Sequence, residues 1–425
     1  ILWVVDNSQS MAQEQRLLGE NFEQFINRLT TCGTAEDLCD LTTQRCTQSG
    51  APCQAPDFHV GVVSTDPRDE GRLRAVGLCA PTASSAPANG RFRYCAGRPG
   101  DCAPNPEDPN SDPQNAVCSF ASPLRFVTPQ TPNPVEAFAQ MVRFQLEGGQ
   151  AAREEGLSTA ARALGQGRVR QSDGSYAPVP APDENIGFVR DDATLFVIFV
   201  SDEEDSSFGP VANYYRVFEQ LKGKGNEALV SLSGIVGDPD PDGPEGEVPG
   251  GCGLESEEGR SGQAGERYVA LSMYSRGREA EIRVCDDVRL LCGSGRACVS
   301  PVPTVPGLCL PDACQNDVDC GSERCSGGSC ATCAGGACTV APENLLELLS
   351  QNGIFQSICA DDYGPVLDAL GFDAAGLSRK FPMSRNPDCR EPVPCCDGEA
   401  ECDDTAEICV KVDGQVVQNS RANGW

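Results

Sequence analysis

The sequence predicts an α/β fold built on an open, mostly parallel sheet, and two stretches carry that expectation. Ile1-Leu2-Trp3-Val4-Val5 and Ala193–Val200 are apolar runs without alternation, the pattern of strands covered on both faces. Each stops on a polar turn, Asp6-Asn7-Ser8-Gln9-Ser10 and Ser201-Asp202-Glu203-Glu204-Asp205, before helical spacing resumes. Open α/β sheets bind ligands beyond the carboxyl ends of their strands, so these two turns are the first candidates for a site.

The other elements follow from periodicity. Leu18, Phe22, Phe25 and Leu29 recur on one helix face directly after the first turn. Asp57–Ser64 resumes the sheet, with His59 at the strand entrance. Val135, Phe138, Val142 and Leu146 make an amphipathic helix of Pro134–Glu147. Val211–Leu221 and Gly265–Arg276 also read as helices, and Leu345–Leu349 and Val366–Leu370 return to helical spacing near the end.

The first turn offers one carboxylate and two neutral hydroxyls. These are hard oxygen donors suited to Mg²⁺, Mn²⁺ or Ca²⁺. With so little negative charge, a bound dication would remain electrophilic toward a carboxylate from outside the protein. The same residues also suit a helix start, with Ser8 or Ser10 as cap and Asp6 at the positive end of the dipole. If the two apolar strands are parallel neighbours, Asp6 and Asp202 meet at one sheet edge.

In these positions the chain resembles the von Willebrand factor A domain, the integrin I-domain fold, and most of all its large cysteine-rich bacterial surface members. That family carries Asp-x-Ser-x-Ser after its first strand and an Asp after its fourth. Asp6, Ser8, Ser10 and Asp202 match those positions. The resemblance implies a doubly wound, mostly parallel six-stranded sheet. Val60–Asp66 would be its second strand, Gly156–Leu164 the helix after the middle loop, Ala228–Gly237 the fifth strand and Ile354–Leu370 the last strand and helix. It also implies a divalent cation, Mg²⁺ or Ca²⁺, that captures a ligand carboxylate. One departure stands out. The family's middle loop supplies a metal-binding Thr from Gly-Gly-Thr-x-Thr, and here it reads Gly148-Gly149-Gln150-Ala151-Ala152. Thr65, Asp66, Glu154 or Glu155 can supply an oxygen in its place, or the two glutamates can simply be first-turn residues favoured by the dipole. The candidate metal set is therefore Asp6, Ser8, Ser10, Asp202 and Glu155.

Composition bounds the function. The chain has 425 residues and a formal net charge of -29, from 62 acidic and 33 basic residues. That balance excludes a nucleic-acid partner, which needs a basic surface, and disfavours anionic lipid. There are 25 cysteines and one histidine, so His-containing zinc sites are nearly excluded and disulfides in an oxidising compartment are expected. The odd count leaves at least one thiol outside intrachain pairs. The longest apolar run is too short to span a bilayer. The chain opens inside a strand, so a leader is expected to have been removed, and a membrane lipid anchor upstream of Ile1 is compatible with a surface location.

Three insertions and a tail are expected around a core domain of residues 1–376. Cys32, Cys39, Cys46 and Cys53, evenly spaced, predict a stapled lobe over residues 32–56. Residues 67–132 form a Pro- and Cys-rich excursion with a short edge strand near Arg91–Tyr94, expected to rise on the metal side. Residues 278–340 hold small cysteine modules, and residues 377–425 a small β extension. Asp238-Pro-Asp240-Pro-Asp242-Gly243 opens like an EF-hand loop, but Pro249 stands where the closing Glu belongs. Glu203-Glu204-Asp205 is expected to be a solvated loop, with a second calcium-type ion as the other reading. No Ser/His/Asp set lies near the site, so the chain is read as a non-enzymatic binding module. Its partner would be a protein or extracellular-matrix ligand, met outside the cell or at its surface. A disulfide-stabilised scaffold without metal is the alternative.

Overall fold

The computed structural model describes residues 1–81, 94–96, 116–144, 153–237, 262–276 and 355–374, apart from residues 33–36, 41–42, 54–55, 171–175, 192 and 224–228. Between residues 284 and 338 and between 410 and 417 it describes only short strands. The middle loop at 148–152, the acidic loop at 238–245 and the helical stretch at 345–349 lie outside the described residues.

A six-stranded sheet forms the centre. Its strands are β1 (Leu2–Val5), β2 (Val60–Ser64), β3 (Phe126–Val127), β4 (Leu195–Ser201), β5 (Val230–Val236) and β6 (Phe355–Ser357). They lie in the order β6-β5-β4-β1-β2-β3. All neighbours pair in parallel except β3, which runs antiparallel to β2. The helices are α1 (Ala12–Leu29), α2 (Pro134–Met141), α3 (Gly156–Ala163), α4 (Val211–Gln220), α5 (Glu266–Arg276) and α6 (Gly364–Ala374). The α/β class and the mostly parallel sheet are as the sequence implies.

Alternation along β1 explains why helices cover both faces. Leu2 and Val4 point into a core shared with Leu157, Phe218 and Tyr268 from α3, α4 and α5. Trp3 and Val5 point the other way, into a core shared with α1, α2 and α6. There Trp3 meets Phe25 and Phe138 edge-on, each at 5.4 Å, and Phe22 stacks on Phe138. Such aromatic pairs add to the stabilisation from burial alone. Arg28 on α1 clamps Asp368 on α6 through two hydrogen bonds of 2.8 and 2.7 Å.

The excursion carries the short edge strand expected near Arg91–Tyr94, as Tyr94–Cys95, but at the edge of a sheet of its own; the central sheet's edge strand is Phe126–Val127. Tyr94–Cys95 belongs to a separate three-stranded antiparallel sheet with Val76–Pro81 and Ala116–Leu124, stapled by Cys95–Cys118. The reason is packing. The Tyr94 ring is buried in the α1–α2 core, and its hydroxyl donates to the Pro132 carbonyl at 2.7 Å, which fastens the excursion beside α2. The residue 32–56 lobe is a hairpin with crossed staples, Cys32–Cys46 and Cys39–Cys53. Cys79 and Cys359 are also in disulfides. Short hairpins pair Cys325–Ser326 with Ser329–Cys330, Cys333–Ala334 with Ala337–Cys338, and Val410–Val412 with Gln415–Val417. Among the described residues no helix is long and apolar enough to cross a membrane.

Phe138→Ala should cost about 3–5 kcal/mol, because it leaves a cavity against the rings of Trp3 and Phe22. Urea unfolding with an unchanged slope is the measurement that checks it.

Candidate metal centre

The parallel register places the two acidic turns side by side. Val5 lies opposite Val200, and the Asp6 N–H donates to the Val200 carbonyl at 2.9 Å. Asp6 therefore leaves β1 level with the end of β4. Its side chain is fully buried: Oδ1 accepts the Ser8 N–H at 2.7 Å, and Oδ2 accepts the Ser201 hydroxyl at 2.6 Å. Gln15 on α1 donates to the Asp6 carbonyl at 2.9 Å and fixes the turn from above.

Asp202 is buried too, at 5% exposure, and its carboxyl lies near that of Asp6 and the Ser10 hydroxyl. Its Oδ1 has no hydrogen-bond partner among the described residues. Ser8 and Ser10 hydroxyls lie 2.9 Å apart, with Ser10 exposed, so the site opens to solvent on the serine side. Neither serine serves as a helix cap: Ser8 precedes the short turn Gln9–Met11 without a side-chain capping bond, and α1 starts after Met11. The structure thus brings Asp6, Ser8, Ser10 and Asp202 together.

The fifth expected residue, Glu155, stands elsewhere. It is half-buried just before α3, and its carboxyl senses Arg153 and Asp205 rather than Asp6. Its neighbour Glu154 takes the inner place, with 2% exposure, accepting a hydrogen bond from the Thr65 hydroxyl at the end of β2. The main chain locks it there, since the Glu155 N–H donates to the Thr65 carbonyl at 2.9 Å and the Ser206 N–H to the Glu154 carbonyl at 2.7 Å. Both residues precede α3, with Glu155 as its N-cap, and of the two only Glu154 is held against the sheet edge. Asp66, the other expected oxygen source, is taken by Arg68, which chelates both of its oxygens.

The charges sort accordingly. Burial and then the Asp6 charge push Asp202 up to about 7 and Glu154 up to about 8. Burial raises Asp6 as well, against the hydrogen bonds from Ser201 and Ser8. Burial would also raise Asp66, but the Arg68 guanidinium outweighs it and holds that carboxyl below the ordinary range. No Lys or Arg among the described residues forms an ion pair with Asp6, Asp202 or Glu154.

The acidic run after Asp202 is not a solvated loop. Glu204 accepts the Glu266 and Arg267 N–H groups at 2.7 and 3.2 Å and so caps α5. Asp205 accepts the Leu157 N–H at 3.1 Å on the first turn of α3, and its other oxygen accepts from Arg267 Nε at 2.9 Å. Both acids are consumed by helix N-termini, whose unsatisfied N–H groups demand acceptors. The only triads of potential ligand side chains within mutual reach among the described residues involve Cys32, Cys39, Cys46, Cys53 and Asp37, and those cysteines are all in disulfides. A disulfide sulfur is not a thiolate, so that lobe is not a thiolate metal site.

Ser201 and Gln15 escaped the sequence reading. Ser201 was recoverable, because a parallel neighbour of Val5 at Val200 sets Ser201 against Asp6. Gln15 carries no local signal. Compared with family models, with curated proteins and with solved structures, the chain matches none.

Two outcomes follow. Without metal, folded Asp202 and Glu154 keep protons that the unfolded chain, with ordinary values of 3.8 and 4.5, has already lost. The native state then binds more protons at these two groups, so their contribution to metal-free stability is full below about pH 4 and is lost as pH rises through about 7 to 8. Thermal melts in chelator should fall across that window, and Glu154→Gln should remove much of the fall. Separately, Arg267→Ala strands the buried Asp205 carboxylate and should cost about 3–5 kcal/mol by urea unfolding.

Proposed function

We propose that the chain is a metal-dependent binding module of the von Willebrand factor A type, working outside the cell or at its surface. Asp6, Ser8, Ser10 and Asp202 would hold a divalent cation, Mg²⁺ or Ca²⁺, and a carboxylate of a protein or extracellular-matrix ligand would complete its shell. One observation carries the reading. Among the described residues, two buried acids lie at one sheet edge, no cationic side chain forms an ion pair with either, and Asp202 Oδ1 has no hydrogen-bond partner. Buried carboxylates without a partner must take up a proton or a cation.

The donor set fits a hard cation: carboxylate and hydroxyl oxygens with no thiolate or imidazole among them. Supporting the same reading, Asp6 follows the first strand and Asp202 the fourth, and those strands are neighbours. A bound dication would supply two positive charges and an open coordination position at the solvent-facing side. Asp6 and Asp202 neutralise such an ion, the serine hydroxyls ligate without adding charge, and Ser201 and the Ser8 N–H hold Asp6 in place. Glu154, bonded to Thr65, closes the inner wall of the site.

We read the site as non-catalytic. His59, the one histidine, precedes β2 at the opposite edge, where its Nδ1 pairs with the Phe188 carbonyl at 3.0 Å. The disulfides fit an oxidising location.

Mg²⁺ or Ca²⁺ at a hundredfold over its dissociation constant should stabilise the chelator-treated protein by about 2.7 kcal/mol. Asp6→Ala and Asp202→Ala should abolish that gain, and with it metal-dependent attachment to protein-coated surfaces. Attachment that ignores both chelation and these substitutions would leave the disulfide-stabilised scaffold as the better description.

A further inference from the structure

The peptide that joins Glu154 to Glu155 lies across the acidic sheet edge. Its carbonyl accepts the Ser206 N–H at 2.7 Å from the loop after β4, and its N–H donates to the Thr65 carbonyl at 2.9 Å at the end of β2. Because β1 runs between β4 and β2, this bridge passes over the end of β1, where Asp6 emerges. The side chain keeps to the same place. Val5 lies opposite Ser64, which sets Thr65 level with Asp6, and the Thr65 hydroxyl donates to Glu154 Oε2. Glu154 is buried, and of the charges around its carboxyl that of Asp6 acts most strongly.

This acid is poorly compensated. Thr65 gives Oε2 one neutral hydroxyl, and no Lys or Arg among the described residues forms an ion pair with Glu154. A buried carboxylate with so little support calls for a proton or a cation. An independent observation lies on the other side of Asp6. Asp202, after β4, is buried, and its Oδ1 has no hydrogen-bond partner among the described residues. Three neighbouring strand ends thus each hold one buried carboxyl: Asp202 beyond β4, Asp6 beyond β1, and Glu154 fastened to the end of β2.

We infer that Glu154 is a third carboxylate ligand of the ion at this edge, and that it makes Ca²⁺ rather than Mg²⁺ the preferred ion. The inference rests on the cation site proposed above. Mg²⁺ keeps several waters and is held through one or two carboxylates, whereas Ca²⁺ accepts about six to eight oxygens in flexible geometry. Asp6, Asp202 and Glu154 supply the charge, and Ser8 and Ser10 add neutral oxygens. Ca²⁺ has room for all of these and for a partner's carboxylate on the solvent-facing serine side. Glu154 then takes over the part that a middle-loop hydroxyl would play, with a charge in place of a neutral donor.

The test uses the full chain, stripped with chelator and titrated with CaCl₂ and with MgCl₂ by calorimetry. Ca²⁺ should bind about tenfold tighter than Mg²⁺, and Glu154→Gln, which keeps the length of the side chain and an acceptor for Thr65, should cut Ca²⁺ affinity about tenfold and level that preference. Glu154→Asp keeps the charge but withdraws it by one methylene, so a ligand role predicts a loss of Ca²⁺ affinity there as well. Glu155→Gln should change nothing. Circular dichroism checks the fold of each variant, and if Glu154→Gln fails to fold, Glu154→Asp decides alone. Mg²⁺ binding as tight as Ca²⁺, full Ca²⁺ affinity in Glu154→Gln, or an equal loss in Glu155→Gln would overturn the inference with the cation site still standing. Full Ca²⁺ affinity in Glu154→Asp would overturn it too, since the charge would then act through space and not as a ligand. No binding of either ion to the unmutated chain would instead defeat the cation site itself, and the inference with it.

Discussion

The parallel register of β1 against β4 is the constraint on which the acidic sheet edge depends. With Val5 opposite Val200, the two strands end level, and Asp6 emerges against Ser201 and Asp202. A slip of one residue would send Trp3 and Val5 to the face that now buries Leu2 and Val4. Neither core could absorb that exchange. One is built around the rings of Phe22, Phe25 and Phe138, the other around the aliphatic and tyrosine side chains of α3 and α5. The two cores therefore enforce the register, and the register assembles the site.

The acids at this edge divide by what neutralises them. Asp66 has Arg68, Asp205 has Arg267 and the first turn of α3, and Glu204 has the amino end of α5. Asp6, Asp202 and Glu154 have hydroxyls, amides and one another. The first group is structural: it ties the loop after β4 to two helices and fixes the walls. The second group stores unfavourable charge in a confined place, and proton uptake or a cation relieves it. Structural acids thus hold in position the acids that remain free for chemistry.

The described parts of the insertions draw stability from sources other than that edge. The lobe over residues 32–56 is too small for a core of its own and relies on crossed disulfides. The excursion after β2 borrows the α1–α2 core through Tyr94 and is stapled by Cys95–Cys118. Apolar content is concentrated in the sheet and its helices, which is how a chain with 39% hydrophobic residues supports two cores.

The sequence by itself determined the elements whose signal is local. β1 and β4 were legible as unbroken apolar runs, α1 through the spacing of Leu18, Phe22, Phe25 and Leu29, and the Asp6 turn through its abrupt polarity. Burial on both faces and helical period are written in neighbouring residues, so they need no fold to be read. Only the tertiary structure decided which acids face the edge. Glu154 and Glu155 are chemically alike, and the bond of the Glu155 amide to Thr65 on another strand chooses between them. Glu204 and Asp205 look like solvated charges until two distant helices bring their amino ends to them. The edge strand β3 is two residues long, too short to carry a pattern, and pairing with β2 alone defines it. Those outcomes depend on contacts between residues far apart in the chain, where desolvation and unsatisfied amides set the choice, and no local spacing encodes them.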